Sequence, residues 1–163
     1  GLNDAEYLEF PFGPCTLDNE DSDGDGDPRC DLTGRQIHRA PMWVVTLIPS
    51  VQFPLTGMPL LGAALAGPFA GIDWVGSVAL EYRDTHRVDP TLDPRSRQSS
   101  FFRLDGSIGF ANAAQGWSMR ATMRNLSDEL ITDTAREVAL LPAHFTRSVA
   151  DPRHVFGEFR WSF

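Results

Sequence analysis

Ile72–Arg83, Phe102–Phe110, Trp117–Arg124 and Val155–Phe163 each alternate apolar and polar residues with a period of two, which is the pattern of a strand with two unlike faces. In the last of them Val155, Gly157, Phe159, Trp161 and Phe163 form an apolar file, and Phe156, Glu158, Arg160 and Ser162 a mainly polar one. Across the four segments the charged residues are Asp73, Glu81, Arg83, Arg103, Asp105, Arg120, Arg124, Glu158 and Arg160, and all lie on the file opposite the apolar one. Charges choosing faces at random would agree in this way in roughly one case in thirty. The chain is therefore expected to be all-β, with one sheet face kept apolar; a sandwich and a membrane barrel both meet that requirement.

Strand length separates the two. A fifth segment places Trp43, Val45, Leu47, Pro49, Val51, Phe53 and Leu55 on one file, predicting a single strand of about thirteen residues. Strands of nine to thirteen residues exceed the five or six usual in soluble sheets and match the roughly nine to eleven that cross a bilayer at a tilt. Aromatics sit near the ends of the apolar files: Trp43 and Phe53, Trp74 and Tyr82, Phe102 and Phe110, Trp117, and Trp161 with Phe163. Headgroups meet hydrocarbon at such rims, and an arginine on the lipid side at mid-bilayer costs roughly 2–4 kcal/mol. The segments between strands read as a connection over Thr56–Gly71, an exposed polar loop over Asp84–Ser100, a tight turn over Asn112–Gly116 and a long connection over Leu126–Asp151, briefly helical over Asp133–Leu141. Asp4–Phe12 reads as the end of a further strand.

The formal charge of −8, from 22 acidic and 14 basic residues, argues against a nucleic-acid partner. Most of it is local. Asp18, Glu20, Asp21, Asp23, Asp25, Asp27 and Asp31 share one short stretch with Arg29 alone among the bases, inside a Gly- and Pro-punctuated loop over Gly13–Pro41. Asp21, Asp23, Asp25 and Asp27 (DSDGDGD) resemble the opening of a calcium loop, but the twelfth position counted from Asp21 is Leu32, with Asp31 one short. A solvated acidic loop and a weak calcium site both remain as readings. Cys15 and Cys30 bracket the segment; the pattern is that of an exported disulfide worth about 3 kcal/mol, and free cytosolic thiols would look the same. His38, His86, His144 and His154 share no face or ligand spacing and read as surface histidines. Asn125, Asp128 and Glu129 read as a turn held by side-chain hydrogen bonds. The residues from Gly1 are not expected to be a leader peptide, and no apolar run reaches the length of a spanning helix; with no motif of catalysis, the chain is expected not to be an enzyme.

Three stretches carry a resemblance to the C-terminal part of TonB-dependent outer-membrane receptors. Asp31–Trp43 (DLTGRQIHRAPMW) is similar to the family's entry from an outer loop into a long strand; Trp117–Glu129 (WSMRATMRNLSDE) to its strand running into Asn-Leu-Thr-Asp-Glu, with Ser127 in place of Thr; and Asp151–Phe163 to its Gly-aromatic ending on a terminal Phe. The resemblance covers residues 31 to 163. It implies an up-and-down antiparallel meander of about six long strands, a segment of a large transmembrane β-barrel left open because some 22 strands are needed to enclose a plug. The whole chain, 1–163, is then a C-terminal barrel segment, with residues 13 to 41 an extracellular acidic loop and the plug absent. It implies a Gram-negative outer membrane and import of scarce nutrients such as iron chelates, with the substrate itself left open. The implied partners are outer-membrane lipids, the rest of the barrel with its plug, TonB through a missing N-terminal part, and the barrel-assembly machinery reading Gly157, Phe159, Trp161 and Phe163. A porin-like channel and a secreted all-β calcium-binding or adhesion domain are the alternatives.

Overall fold

The computed structural model describes residues 1–18, 29–58, 62–65, 67 and 69–162. The fold is all-β. Its strands are β1 (Val44–Leu47), β2 (Ser50–Pro54), β3 (Asp73–Arg83), β4 (His86–Arg87), β5 (Arg97–Gln98), β6 (Phe101–Asn112), β7 (Trp117–Arg124), β8 (Thr132–Glu137), β9 (Phe145–Val149) and β10 (His154–Trp161), with a one-turn helix α1 (Gly62–Leu65) between β2 and β3. One sheet has the order β1-β3-β6-β7-β10, with β2 also on β3; β4–β5 and β8–β9 are two-stranded ribbons. Among the described residues β10 pairs with β7 alone and not with β1 or β2, so the sheet is not closed into a ring.

The chain falls into two compact units. The sheet unit comprises Thr46–Glu81, Phe102–Glu129 and Asp151–Phe163, and the loop unit Gly1–Val45, Tyr82–Phe101 and Leu130–Ala150. They are built on different principles. In the loop unit Leu32, Ala40, Val88, Leu92, Phe101, Ile131 and Ala135 are buried, a small ordinary core. In the sheet unit Leu55 is the one apolar residue buried to that degree among those described. The sheet is held by its ladders and keeps its apolar side chains on its surface.

Four expectations need correction. The single strand expected from Trp43 to Leu55 is two, β1 and β2, interrupted at Ile48–Pro49. Pro49 has no N–H to give the ladder, although its carbonyl still accepts from Val78 N at 3.0 Å. Asp4–Phe12 is not a regular strand: it lies against the segment leading to β1 through isolated bridges at Leu2–Trp43, Glu6–Gln36 and Gly13–Cys30. The helical turn expected over Asp133–Leu141 is instead β8 and the start of its turn, because Thr132–Glu137 pairs with Phe145–Val149 and Ala135 is buried. Finally, Asp84–Ser100 is more than an exposed loop, since the β4–β5 ribbon buries His86, Val88, Leu92 and Ser96; His86 is thereby no surface histidine, its Nδ1 lying 2.9 Å from the Asp84 carbonyl.

Candidate functional site

The feature with the clearest functional content is the pair of opposed faces on the sheet. In the β6–β7 register Gly106 meets Met123, Ile108 meets Ala121 and Phe110 meets Met119. In β7–β10, Met123 meets Val155, Ala121 meets Gly157, Met119 meets Phe159 and Trp117 meets Trp161. In β2–β3, Val51 meets Gly76 and Phe53 meets Trp74. Residues opposite each other in an antiparallel pair share a face, so each apolar file continues into the next. Between β3 and β6, Ser77 and Ser107 hydrogen-bond through their hydroxyls at 2.8 Å, which puts those two on one face and Val78 and Ile108, one residue on in each strand, on the other. The four alternating segments of the sequence thus bring their apolar files to one side of one sheet.

That side is open. Met119 is 50% exposed, Phe159 63% and Trp161 61%. The aromatics are arranged as rows: Phe53 and Trp74 pack with ring centroids 5.1 Å apart, and Trp117 stands opposite Trp161. The ring of Trp74 folds over Gly76 and fills the volume a Cβ would take there, which explains a glycine in the middle of a long strand. Monomeric soluble proteins rarely leave a contiguous apolar surface of this kind uncovered.

The other side is polar. Arg120 stands opposite Glu158, Glu158 in turn accepts from Arg160 at 2.6 Å, and Arg103 pairs with Asp105 at 3.1 Å. Arg120, Arg124, Asp105, Ser107 and Glu158 line one concavity. Phe156 is the exception, an exposed aromatic on the polar file, stacked beside His154 with centroids 5.9 Å apart. Gly109 lies directly opposite Arg120, where an added Cβ would collide with the Met119 carbonyl.

Where β7 ends, Asn125 takes a left-handed backbone (φ 52°) and is 99% removed from solvent, with 1% relative exposure. Its N–H donates to Asp105 Oδ1 at 2.8 Å, its Nδ2 donates to the carbonyls of Glu129 at 2.9 Å and Asp151 at 3.3 Å, and its Oδ1 accepts from Glu129 N at 3.0 Å. Asn tolerates this conformation better than other side-chain-bearing residues, which is why it occupies the corner.

In the loop unit, Cys15 and Cys30 are joined, with Cα atoms 5.3 Å apart. A centre absent from the sequence reading lies beside them. The Arg95 guanidinium holds both oxygens of Asp18 (2.8 and 2.7 Å) and both of Asp93 (2.8 and 2.7 Å), and lies over the Phe145 ring at 4.9 Å. Asp93 also accepts from Arg95 N at 2.7 Å, capping the turn 94–96. Hydrogen bonding from Arg95 keeps the carboxyls of Asp93 and Asp18 below the ordinary aspartate range, and the two carboxylates hold the Arg95 proton correspondingly more tightly. Arg95 and Asp18 are 77 positions apart in sequence, so no local pattern announces the contact. Glu137 makes a related tie, accepting from Leu17 N at 2.7 Å and Ala143 N at 3.1 Å.

Asp21, Asp23, Asp25 and Asp27, the calcium candidates, lie outside the described residues, as does Phe163; Gly157, Phe159 and Trp161 stand on the apolar file of β10. Asp31, the acid nearest the end of that calcium pattern, is engaged by Thr33 N at 2.8 Å. Among the described residues no group of three His, Cys, Asp or Glu side chains is placed to hold a metal ion, and no helix is long and apolar enough to cross a membrane, which leaves crossing by strands untouched. Compared with protein-family models, curated proteins and solved structures, the chain matches none.

Proposed function

We propose that this chain is wall, outer loops and C-terminal assembly strand of a TonB-dependent receptor in the outer membrane of a Gram-negative bacterium. The observation that carries the reading is the division of the sheet: apolar files aligned in register and left exposed on one side, charges confined to the other. A bilayer supplies the apolar surround that such a face needs, and a barrel is the form in which strands supply it without unpaired edges. The apolar face is then the lipid side and the face of Arg120, Arg124 and Glu158 the lumen side. In this reading the edge of β10 away from β7 pairs with a strand from elsewhere in the barrel.

In this reading a scarce nutrient, for instance an iron chelate, binds from outside; TonB, energised at the inner membrane, acts on a plug; and the solute passes along the polar face. No step asks a side chain of this chain to do covalent chemistry. Its residues line, exclude and position.

The test uses the intact protein in its native membrane, with single cysteines placed from Ser118 to Arg124. A water-soluble maleimide should label positions 118, 120, 122 and 124 and spare 119, 121 and 123. Uniform labelling would remove the barrel reading. Alternating labelling with solute uptake that persists in a strain lacking TonB would leave a porin-like channel instead.

A further inference from the structure

Arg87 and Arg97 stand directly opposite each other in the β4–β5 ribbon, so two guanidinium groups leave one face of a two-residue ladder. Like charges in that position repel. The ribbon cannot relieve the repulsion by splaying: beyond the pair, Val88 N donates to the Ser96 carbonyl at 3.0 Å and Ser96 N to the Asp93 carbonyl at 2.9 Å, with Val88, Leu92 and Ser96 buried beneath. Behind it, Arg39 N donates to the Arg87 carbonyl at 2.7 Å, and Arg87 Nη1 to the Pro94 carbonyl at 3.2 Å. Arg87 is half-buried, while Arg97 is exposed.

Three nearby carboxylates have hydrogen-bond partners of their own. Asp93 and Asp18 are held by Arg95, and Asp89 accepts from the Thr91 backbone at 3.0 Å and its hydroxyl at 2.5 Å. Among the described residues no carboxylate is bonded to Arg87 or Arg97. In a chain with 22 acidic residues and 14 basic ones, an arginine pair to which no carboxylate among the described residues is bonded runs against the overall balance. Burial lowers the Arg87 proton affinity and the charge of Arg97 lowers it further, while the Asp93 carboxylate raises it.

We infer that Arg87 and Arg97 form a binding site for a phosphate group. Two guanidinium groups on one face of a ladder call for a ligand with more than one negative charge, and guanidinium forks match phosphate oxygens bidentately. Both residues belong to the loop unit, so the inference stands whether or not the sheet is lipid-facing. The phosphate arrives either on a soluble molecule or on a lipid headgroup, and the two sources are distinguishable.

The purified intact protein is titrated with inorganic phosphate by calorimetry, and floated with phosphatidylcholine vesicles with and without phosphatidic acid. The variants are Arg87→Gln, Arg97→Gln and their combination, with Arg136→Gln combined with Arg153→Gln as a control that removes the same two charges. The double variant should bind phosphate, or the phosphatidic acid vesicles, about tenfold or more weakly than the control. Titration with free phosphate points to a soluble ligand, and vesicle binding alone to a headgroup. Because each single variant removes a repulsion, it should melt no lower than the parent, and phosphate should raise the melting temperature of the parent but not of the double variant. Equal affinities in double variant and control, or no binding of either probe to the parent, overturns the assignment.

Discussion

Arginine placed at Ala121 tests the division of faces at its most demanding point. Ala121 stands on the apolar face between Ile108 on one neighbour and Gly157 on the other. Four residues at about 3.3 Å each put it about 13 Å along the strand from the Trp117–Trp161 row, and in the proposed barrel a 45° tilt would make that about 9 Å of depth in an apolar band about 25 Å tall. An arginine near that depth costs about 2–4 kcal/mol, a shift of about thirty- to several-hundred-fold in the folding equilibrium. Thr122→Arg, one residue further and on the opposite face between Ser107 and Phe156, should change stability by no more than about 0.5 kcal/mol. The assay is urea unfolding of the intact protein in phosphatidylcholine vesicles, followed by tryptophan fluorescence. Equal losses at 121 and 122 would refute the reasoning. So would a midpoint indifferent to lipid, since a soluble sandwich also dislikes a charge at 121 but does not need the bilayer.

Asn125→Ala should cost about 3 kcal/mol, from three side-chain hydrogen bonds worth about 1 kcal/mol each and an added left-handed strain partly offset by relaxation; Asn125→Gly, which removes the bonds but not the backbone freedom, should cost about 1 kcal/mol less, and a loss below that figure for Ala in urea titration would show that the corner is held by something else. Asp93 titrates below its ordinary 3.8 in the folded protein because Arg95 holds it. A depressed folded-state value means that its stabilisation is complete above the unfolded value and fades as pH falls through the folded one, so the drop in melting temperature lies below 3.8. Asp93→Asn should flatten that acid limb, and parallel acid limbs in parent and variant would contradict the pairing.

The faces of the sheet were legible because period-two alternation is a direct image of the pleat, and Phe102–Phe110 and Trp117–Arg124 carry it without interruption. Pro49 satisfies the alternation while removing a ladder donor, so the pattern overlooked the break that the backbone makes there. β8 was illegible for a different reason. Thr132–Glu137 has no apolar file, and Ala135, Arg136 and Glu137 favour helix locally, so its strand character comes from the partner Phe145–Val149. The Arg95 centre and the Arg87–Arg97 pair depend on contacts between distant segments or on strands of two residues, which no window of sequence can sense. The turn at Asn125 was legible because Asn and Asp closing a strand have few other uses.

Asn125 has one more consequence. Its single Nδ2 group donates to Glu129 and to Asp151, the residues on either side of the excursion Leu130–Ala150, and Ala150 N closes on the Ile131 carbonyl at 2.8 Å just beyond. The excursion is thus tied off at its root, and the β7–β10 pairing does not depend on what lies outside the tie. Once both ends of a loop are fixed, changing its length alters closure entropy only logarithmically. Evolution, or an engineer, can lengthen, shorten or replace the β8–β9 ribbon while the sheet strands on either side keep their register.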